Sequence, residues 1–411
     1  MTEAQRKRAL RRARIPWSEE VADPRDARGQ RHGHHGLLAL MALAFACGRT
    51  VLRRMEELSE DVGQKTRRAL GLPKRVADTT LYRLLSQQSP AGLRETLQAM
   101  VKTWLEQKVV RNDLFPVGVM SVDGKSIWTS TRHVVDGARV SVGPDGTVAS
   151  LSSLRAVLTS SSARPCVDLE LMAAKQGESP AFRRMFPRLC EELGSSFLIV
   201  TADAGLTCRE NARLVTAQGK HYLFGLKGNQ QHLHSLAQRA FALCPGGLRA
   251  RTEERRDGNT LVRELHTLSV YDAPAVDMEG AEQFWCVTQV THPPQGEPTT
   301  EVRYFISSVP LGLLTPTQQL HLVRLHWGIE NGHNWTMDVM LQEDDRQPCQ
   351  ATKDSIEVTT WLRLLGYNLL AVWRARAPRK DCLPLSWSRA MELLRDLLVA
   401  ATPAELTPVL V

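Results

Sequence analysis

The sequence predicts an α/β protein: a mixed sheet that carries an all-β insertion and is preceded by a small all-α domain. Three observations predict it. Between Leu37 and about Lys108 the apolar residues recur at helical spacing. From about Phe115, short apolar runs of strand character alternate with helical stretches, the pattern of a sheet covered by helices. From Cys244 to about Ser308 the pattern becomes alternating, broken by Gly and Pro turns.

The 411 residues suffice for two or three domains with sizeable cores, and 43% hydrophobic with 23% charged residues is ordinary for a globular chain. A net charge of +8 favours a polyanionic partner, nucleic acid before membrane. The eight cysteines include no CxxC pair, which argues against a zinc ribbon or disulfide framework and suits a reducing cytosol. The longest apolar run, Leu37 to Cys47, is too short to span a bilayer, and no signal peptide is expected.

In chain order, residues 1–36 read as a basic arm. Six of the nine residues from Arg6 to Arg14 are Lys or Arg, so the arm either lies on DNA phosphates or is a solvated tail. Residues 37–112 read as the helical domain, a candidate for DNA binding or for packing alone. It holds a buried helix over 37–47, another over 51–58, one that Asp78 could cap, and one opened by Ser89-Pro90. The sheet domain takes 113–243 and 309–375. Strands are expected over 117–122 (ending at Asp123-Gly124), 155–159, 166–172, 197–201 and 221–226, with helices over 180–193 and 209–218. The β insertion, 244–308, has strands over 261–270, 284–291 and 302–306. A half-buried helix over 361–373 follows. Residues 376–411 form a C-terminal helical tail, amphipathic over 391–398.

The stretch from His321 to Asp338 stands out. Thr315 and Pro316 read as the N-cap and first position of a helix running from about Gln318. At helical spacing Gln319, His326, Glu330, His333 and Asn334 share one face, framed by Trp327 and Trp335. Alone, it could be a solvated helix face. Two further carboxylates, Asp123 and Asp203, each follow an apolar run of strand character, and with Glu330 they can converge across the end of a sheet. Like charges that close raise one another's pKa unless a cation intervenes. Two Mg²⁺ (or Mn²⁺) ions about 4 Å apart relieve the repulsion and serve phosphoryl chemistry. Oxygen ligands without a Cys/His cluster favour these metals over zinc. Lys227 and Asn229, in the turn after the strand over 221–226, would reach the same end of the sheet. His32, His34 and His35 read as loop composition, and no glycine-rich phosphate loop occurs.

Val122-Asp123-Gly124-Lys125-Ser126 resembles the Asp-Gly-Lys segment of the H-repeat-associated group of bacterial insertion-sequence transposases, within the DDE transposase superfamily. Lys175-Gln176-Gly177-Glu178 is similar to that group's Lys-x-Asn-Glu segment, with Gly177 in place of Asn. Thr201-Ala202-Asp203-Ala204, followed by Tyr222 to Gln230, resembles its second-aspartate block. His326-Trp327-Gly328-Ile329-Glu330-Asn331, then Trp335, Asp338 and Glu343-Asp344, resembles its glutamate block. Arg28 to His32 and the apolar helix after them resemble its N-terminal domain. Val323, His326 and Met337 stand where other branches of the superfamily carry Tyr, Arg and Lys. His333-Asn334 replaces a usual Leu-His.

The resemblance spans most of the chain in the right order. It implies an RNase H-like catalytic core with a β insertion before its last acidic helix, and Asp123, Asp203 and Glu330 as ligands of two metal ions. It implies double-stranded DNA, element ends and target, as partner, with Lys125, Lys227, Asn229, His326, Trp327 and Asn331 in contact with it. The implied reaction is metal-assisted cleavage at the ends of an insertion sequence and transfer of the 3′-OH ends to target DNA. A homodimer on DNA in the cytoplasm, associated with the nucleoid, is expected. A silent descendant that only binds DNA, and a nuclease without strand transfer, are the alternatives.

Overall fold

In the computed structural model, residues 15–143, 146–244, 249–270, 276–377 and 385–400 are described. The cationic run Arg6 to Arg14 lies outside them. The segment after it is not loose: Ile15 is 1% exposed and Val21 4%, both packed into the main core.

Five helices come first: α1 (His34–Ala46), α2 (Leu52–Asp61), α3 (Gln64–Ala69), α4 (Asp78–Gln87) and α5 (Leu93–Glu106). α1 is apolar all round and every residue from Leu37 to Ala46 is buried. Asp78 is the first residue of α4 rather than its cap, which is Ala77. α5 starts three residues after Pro90 because Gly92 turns the chain through a left-handed φ of 78° that other residues resist.

The sheet follows. Its strands are β1 (Val119–Ser130), β2 (Arg139–Gly143), β3 (Gly146–Leu158), β4 (Cys166–Leu171), β5 (Ile199–Ala202), β6 (His221–Leu226), β7 (Ala250–Arg256), β8 (Asn259–Ser269), β9 (Gln283–His292) and β10 (Thr299–Ser307). Their order is β2-β3-β1-β5-β6-β10-β9-β8-β7, with β4 also on β3. β1, β5 and β6 are parallel neighbours and the other pairings are antiparallel. The crossovers are helices, α6 (Glu178–Leu193) between β4 and β5 and α7 (Arg209–Ala217) between β5 and β6.

One expectation is corrected here. β1 does not end at Asp123-Gly124. It runs on to Ser130, because beyond Val122, where parallel pairing with β5 stops, β3 continues to pair with it. The β insertion holds four strands between Ala250 and Ser307. β10 pairs with β6 through Tyr304–Leu226 to Ser307–Leu223, so they extend the same sheet. A helix that the sequence pattern had not suggested, α8 (Gln231–Leu243), separates β6 from them.

α9 (Pro316–Gly328) opens as read from the sequence. Thr315 caps it, and the Thr315 and Gln318 side chains bond each other's backbone reciprocally. Beyond Gly328 the backbone widens to π-helical turns over Ile329–Asn334 and Thr336–Met340. α10 (Lys353–Arg376) is buried over most of Ser355–Val372, and α11 (Trp387–Ala400) covers it. α10 lies so close to α1 that a Cβ at Gly366 would come 2.5 Å from the Ala42 carbonyl oxygen and 2.8 Å from Phe45 Cβ. One apolar core joins the N-terminal helices, one sheet face, α6 and α10. A second, around Trp285 and Leu320 to Leu325, seats α9 on the opposite face.

Candidate active site

The three carboxylates named from the sequence arrive from three elements. Asp123 stands on β1 one residue past its parallel pairing with β5. Asp203 immediately follows β5, with Oδ1 accepting the Gly205 N–H at 2.8 Å. Glu330 is the second residue of the first π-helical segment and is exposed. They are mutually close: burial, then the charges of Glu330, Asp203 and Glu178, push the Asp123 carboxyl up to about 7.

Hydroxyls brace the platform beneath them. Ser121 on β1 bonds Thr159 Oγ1 at 2.7 Å and Thr201 Oγ1 at 2.8 Å, and Thr201 Oγ1 lies 3.2 Å from His326 Nδ1 on α9. This chain ties β1, β5 and α9 together at buried positions. His326 is neutral there, its pKa pushed down to about 4 by burial.

The residues expected on DNA divide into two sets. Lys227 and Asn331 are exposed and Trp327 is partly so. Lys227, Trp327, Asp203 and Glu330 line one pocket of about 410 Å³, together with His234, Arg303 and Tyr304. The Arg303 guanidinium lies 4.4 Å from the Trp327 ring centre. Lys125, in contrast, is 8% exposed and turned inward, paired with Asp338 and lying 3.4 Å from Asp344 and 3.8 Å from Glu343. His326 is 4% exposed and bonded to Thr201. Asn229 is exposed but donates through Nδ2 to the Ala204 carbonyl at 2.9 Å, bracing the loop after Asp203.

The polar face drawn at helical spacing does not survive past Gly328. A π-helical turn bonds five residues back, so it shifts the side chains that follow. His333 is fully buried while Glu330 is exposed. Asn334 donates to Asp123 Oδ2 at 2.8 Å, and its own Oδ1 is buried with no hydrogen-bond partner.

The site also contains residues to which the sequence assigned no role. Arg155, paired with Asp123 in the β1–β3 register, is fully buried and donates to Glu343 at 2.7 Å. Glu343 in turn lies near Lys125 and Arg363, so the segment after Glu330 is locked to the β1–β3 hairpin and to α10. Glu178, the first residue of α6, points between Gly124 and Gly205. A Cβ on Gly124 would come 2.1 Å from Glu178 Oε1, and one on Gly205 2.6 Å from Glu178 Oε2 and 3.0 Å from Asp203 Oδ1. The glycines keep this space free for oxygen atoms. The one signal for Glu178 in the sequence was its place in the 175–178 block.

No three of these side chains are gathered into a finished metal shell among the described residues. The donor set nevertheless fits a hard divalent cation. It is made of carboxylate oxygens, with an unpartnered amide oxygen beside them and a glycine-walled space that a side chain would fill.

Residues 154–369, more than half the chain, match the family described as transposase DDE domain; Asp203 and Glu330 fall inside the match and Asp123 ahead of it. The protein YbfL of Escherichia coli (strain K12) is 25% identical over 380 residues, covering 88% of this chain and 91% of that protein. The "H repeat-associated putative transposase YhhI" of the same strain is 25% identical over 317 residues, covering 73% of this chain and 75% of that protein. Among solved structures, the piggyBac transposase synaptic complex with hairpin DNA aligns with a TM-score of 0.49 at 9% identity, covering 97% of this chain and 82% of that one. The chain thus belongs to the transposase DDE-domain family.

Proposed function

We propose that this transposase cleaves DNA at the ends of an insertion sequence and joins the freed 3′-OH ends to target DNA. Asp123, Asp203 and Glu330 would hold two Mg²⁺ or Mn²⁺ ions. The observation that carries the proposal is the crowding of Asp123 by Asp203 and Glu330, from two strands and a helix, with no cation among the described residues bonded to any of the three. Like charges held near one another repel, and a divalent ion would relieve that repulsion. When bound, such ions activate the attacking oxygen and stabilise the leaving one.

The chain's own residues do the rest. The Ser121–Thr201–His326 bonds fix Asp123 and Asp203 relative to α9. Asn334 holds the Asp123 carboxylate in orientation. Lys227 and Asn331, exposed beside the site, would take DNA phosphates, with Trp327 and Arg303 forming a wall against a sugar or base. Lys125, His326 and Asn229 would support the fold of the site rather than touch DNA. In this reading β1 to β6 with β10 and α9 make an RNase H-like core, β7 to β9 its insertion, and the protein works as a homodimer on double-stranded DNA.

The test is cleavage and joining of element-end DNA in Mg²⁺. Asp123→Asn, Asp203→Asn and Glu330→Gln should each abolish cleavage while binding of the same DNA persists. A variant that still cuts at near wild-type rate removes its residue from the triad. Cut ends that never join a target plasmid would make the protein a nuclease.

A further inference from the structure

We propose that Glu178 is a fourth carboxylate of this site and helps to hold the metal ion on the Asp203 side. The inference rests on the metal-dependent reading above and extends it to a residue from a fourth element. Glu178 opens α6, yet its carboxylate does not turn back over its own helix end. It lies between two glycines that follow the two aspartates, Gly124 after Asp123 and Gly205 after Asp203. Both Glu178 Oε2 and Asp203 Oδ1 fall within 3.0 Å of the point where a Gly205 Cβ would sit, so the two carboxylates face a common space. Neither glycine has a positive φ, so it is the room, and not the backbone, that asks for glycine here.

The company Glu178 keeps sets it apart from the chain's other sheltered carboxylates. Asp168 is bonded by Arg94 and Arg188. Glu170 is bonded by Arg94, Arg184 and Arg188. Glu254 is held by Arg263 and Arg324, and Glu343 by Arg155. Each of these four acids has an arginine as its partner, and Glu357 on α10 accepts from the Trp361 indole at 3.3 Å. Glu178 has no such partner among the described residues, and a carboxylate is what faces it. Charge balance points the same way: Asp123, Asp203, Glu330 and Glu178 carry four negative charges, which two divalent cations neutralise.

The test counts metal on the full chain without asking it to cut. Mn²⁺ binding is titrated by calorimetry, with free Mn²⁺ followed by electron paramagnetic resonance, for wild type, Glu178→Gln, Glu178→Asp and Asp203→Asn. Thermal melting is recorded with and without Mn²⁺. Glu178→Gln should weaken one Mn²⁺ site by tenfold or more, with Glu178→Asp in between. Its metal-free melting temperature should hold or rise, because a repulsion has gone, while the upward shift on adding Mn²⁺ shrinks. An ordinary helix-opening residue would show the opposite: a lower metal-free melting temperature and unchanged Mn²⁺ affinity. That result overturns the proposal. If Glu178→Gln binds Mn²⁺ like wild type while Asp203→Asn does not, only the role of Glu178 fails. If Asp203→Asn also binds like wild type, or wild type binds no Mn²⁺ with or without DNA, the metal-dependent reading falls with it.

Discussion

Lys227 and His326 show how differently two residues of one site can be used. Lys227 is exposed beside Asp203 and makes no ion pair among the described residues, so its charge is available to a phosphate. Lys227→Ala should reduce cleavage several-fold or more and flatten the salt dependence of DNA binding by about 0.9 in log–log slope, with thermal stability unchanged. An unfolded or fully active variant would make the turn after β6 structural only. His326 serves stability instead. Held neutral in the fold with a pKa of about 4, it takes up a proton near 6.5 once unfolded. Between those values the unfolded chain binds more protons, so stability is present above pH 6.5 and drains away as pH falls toward 4. The contribution is on the order of 3 kcal/mol, converted from the shift. Urea midpoints of wild type and His326→Gln between pH 4.5 and 7 should converge as the pH falls; parallel curves would show that His326 does not drive the loss.

At the scale of elements, the segment after Glu330 is held by charge as much as by packing. Arg155 on β3 and Glu343 beyond the π-helical turns are both fully buried and bonded to each other. Arg155→Met leaves buried Glu343 with only the more distant Lys125 and Arg363 and should cost about 3 kcal/mol. Adding Glu343→Gln should recover part of that loss in urea denaturation, and simple additivity of the two changes would argue against a latch. Such a pair is illegible in the sequence, because nothing local announces that residues 155 and 343 meet. What local chemistry announces was readable. β6 was placed to the residue at His221–Leu226, and the Thr315–Pro316 helix start was seen through its cap. β2 was invisible because all five of its residues are exposed and only register with β3 makes it a strand. β1 was expected to end at Asp123-Gly124 because the strand that prolongs it, β3, lies further along the chain. Asp123, Asp203 and Glu330 could be singled out because each follows a local signal. Glu178 had only its place in the 175–178 block, because the two glycines it lies between come from other elements.

For the whole molecule, charge and order of assembly matter. The cationic run Arg6 to Arg14 carries six positive charges in a chain of net charge +8, and Ile15, buried among the described residues, follows it. Deleting residues 1–14 should therefore weaken DNA binding across sequences and lower its salt slope. An unchanged slope would show that the run makes no phosphate contacts. The packing of α1 on α10 has another consequence, which concerns synthesis. α1 emerges from the ribosome early and is apolar on every side, whereas the helix that covers it begins at Lys353, roughly 300 residues later. At about 5–20 residues per second, α1 waits some tens of seconds for its partner. Glu330 is also made long after α1, so the growing chain carries Asp123 and Asp203 before it carries Glu330. The uncovered apolar helix and the incomplete set of carboxylates thus belong to the same stretch of synthesis.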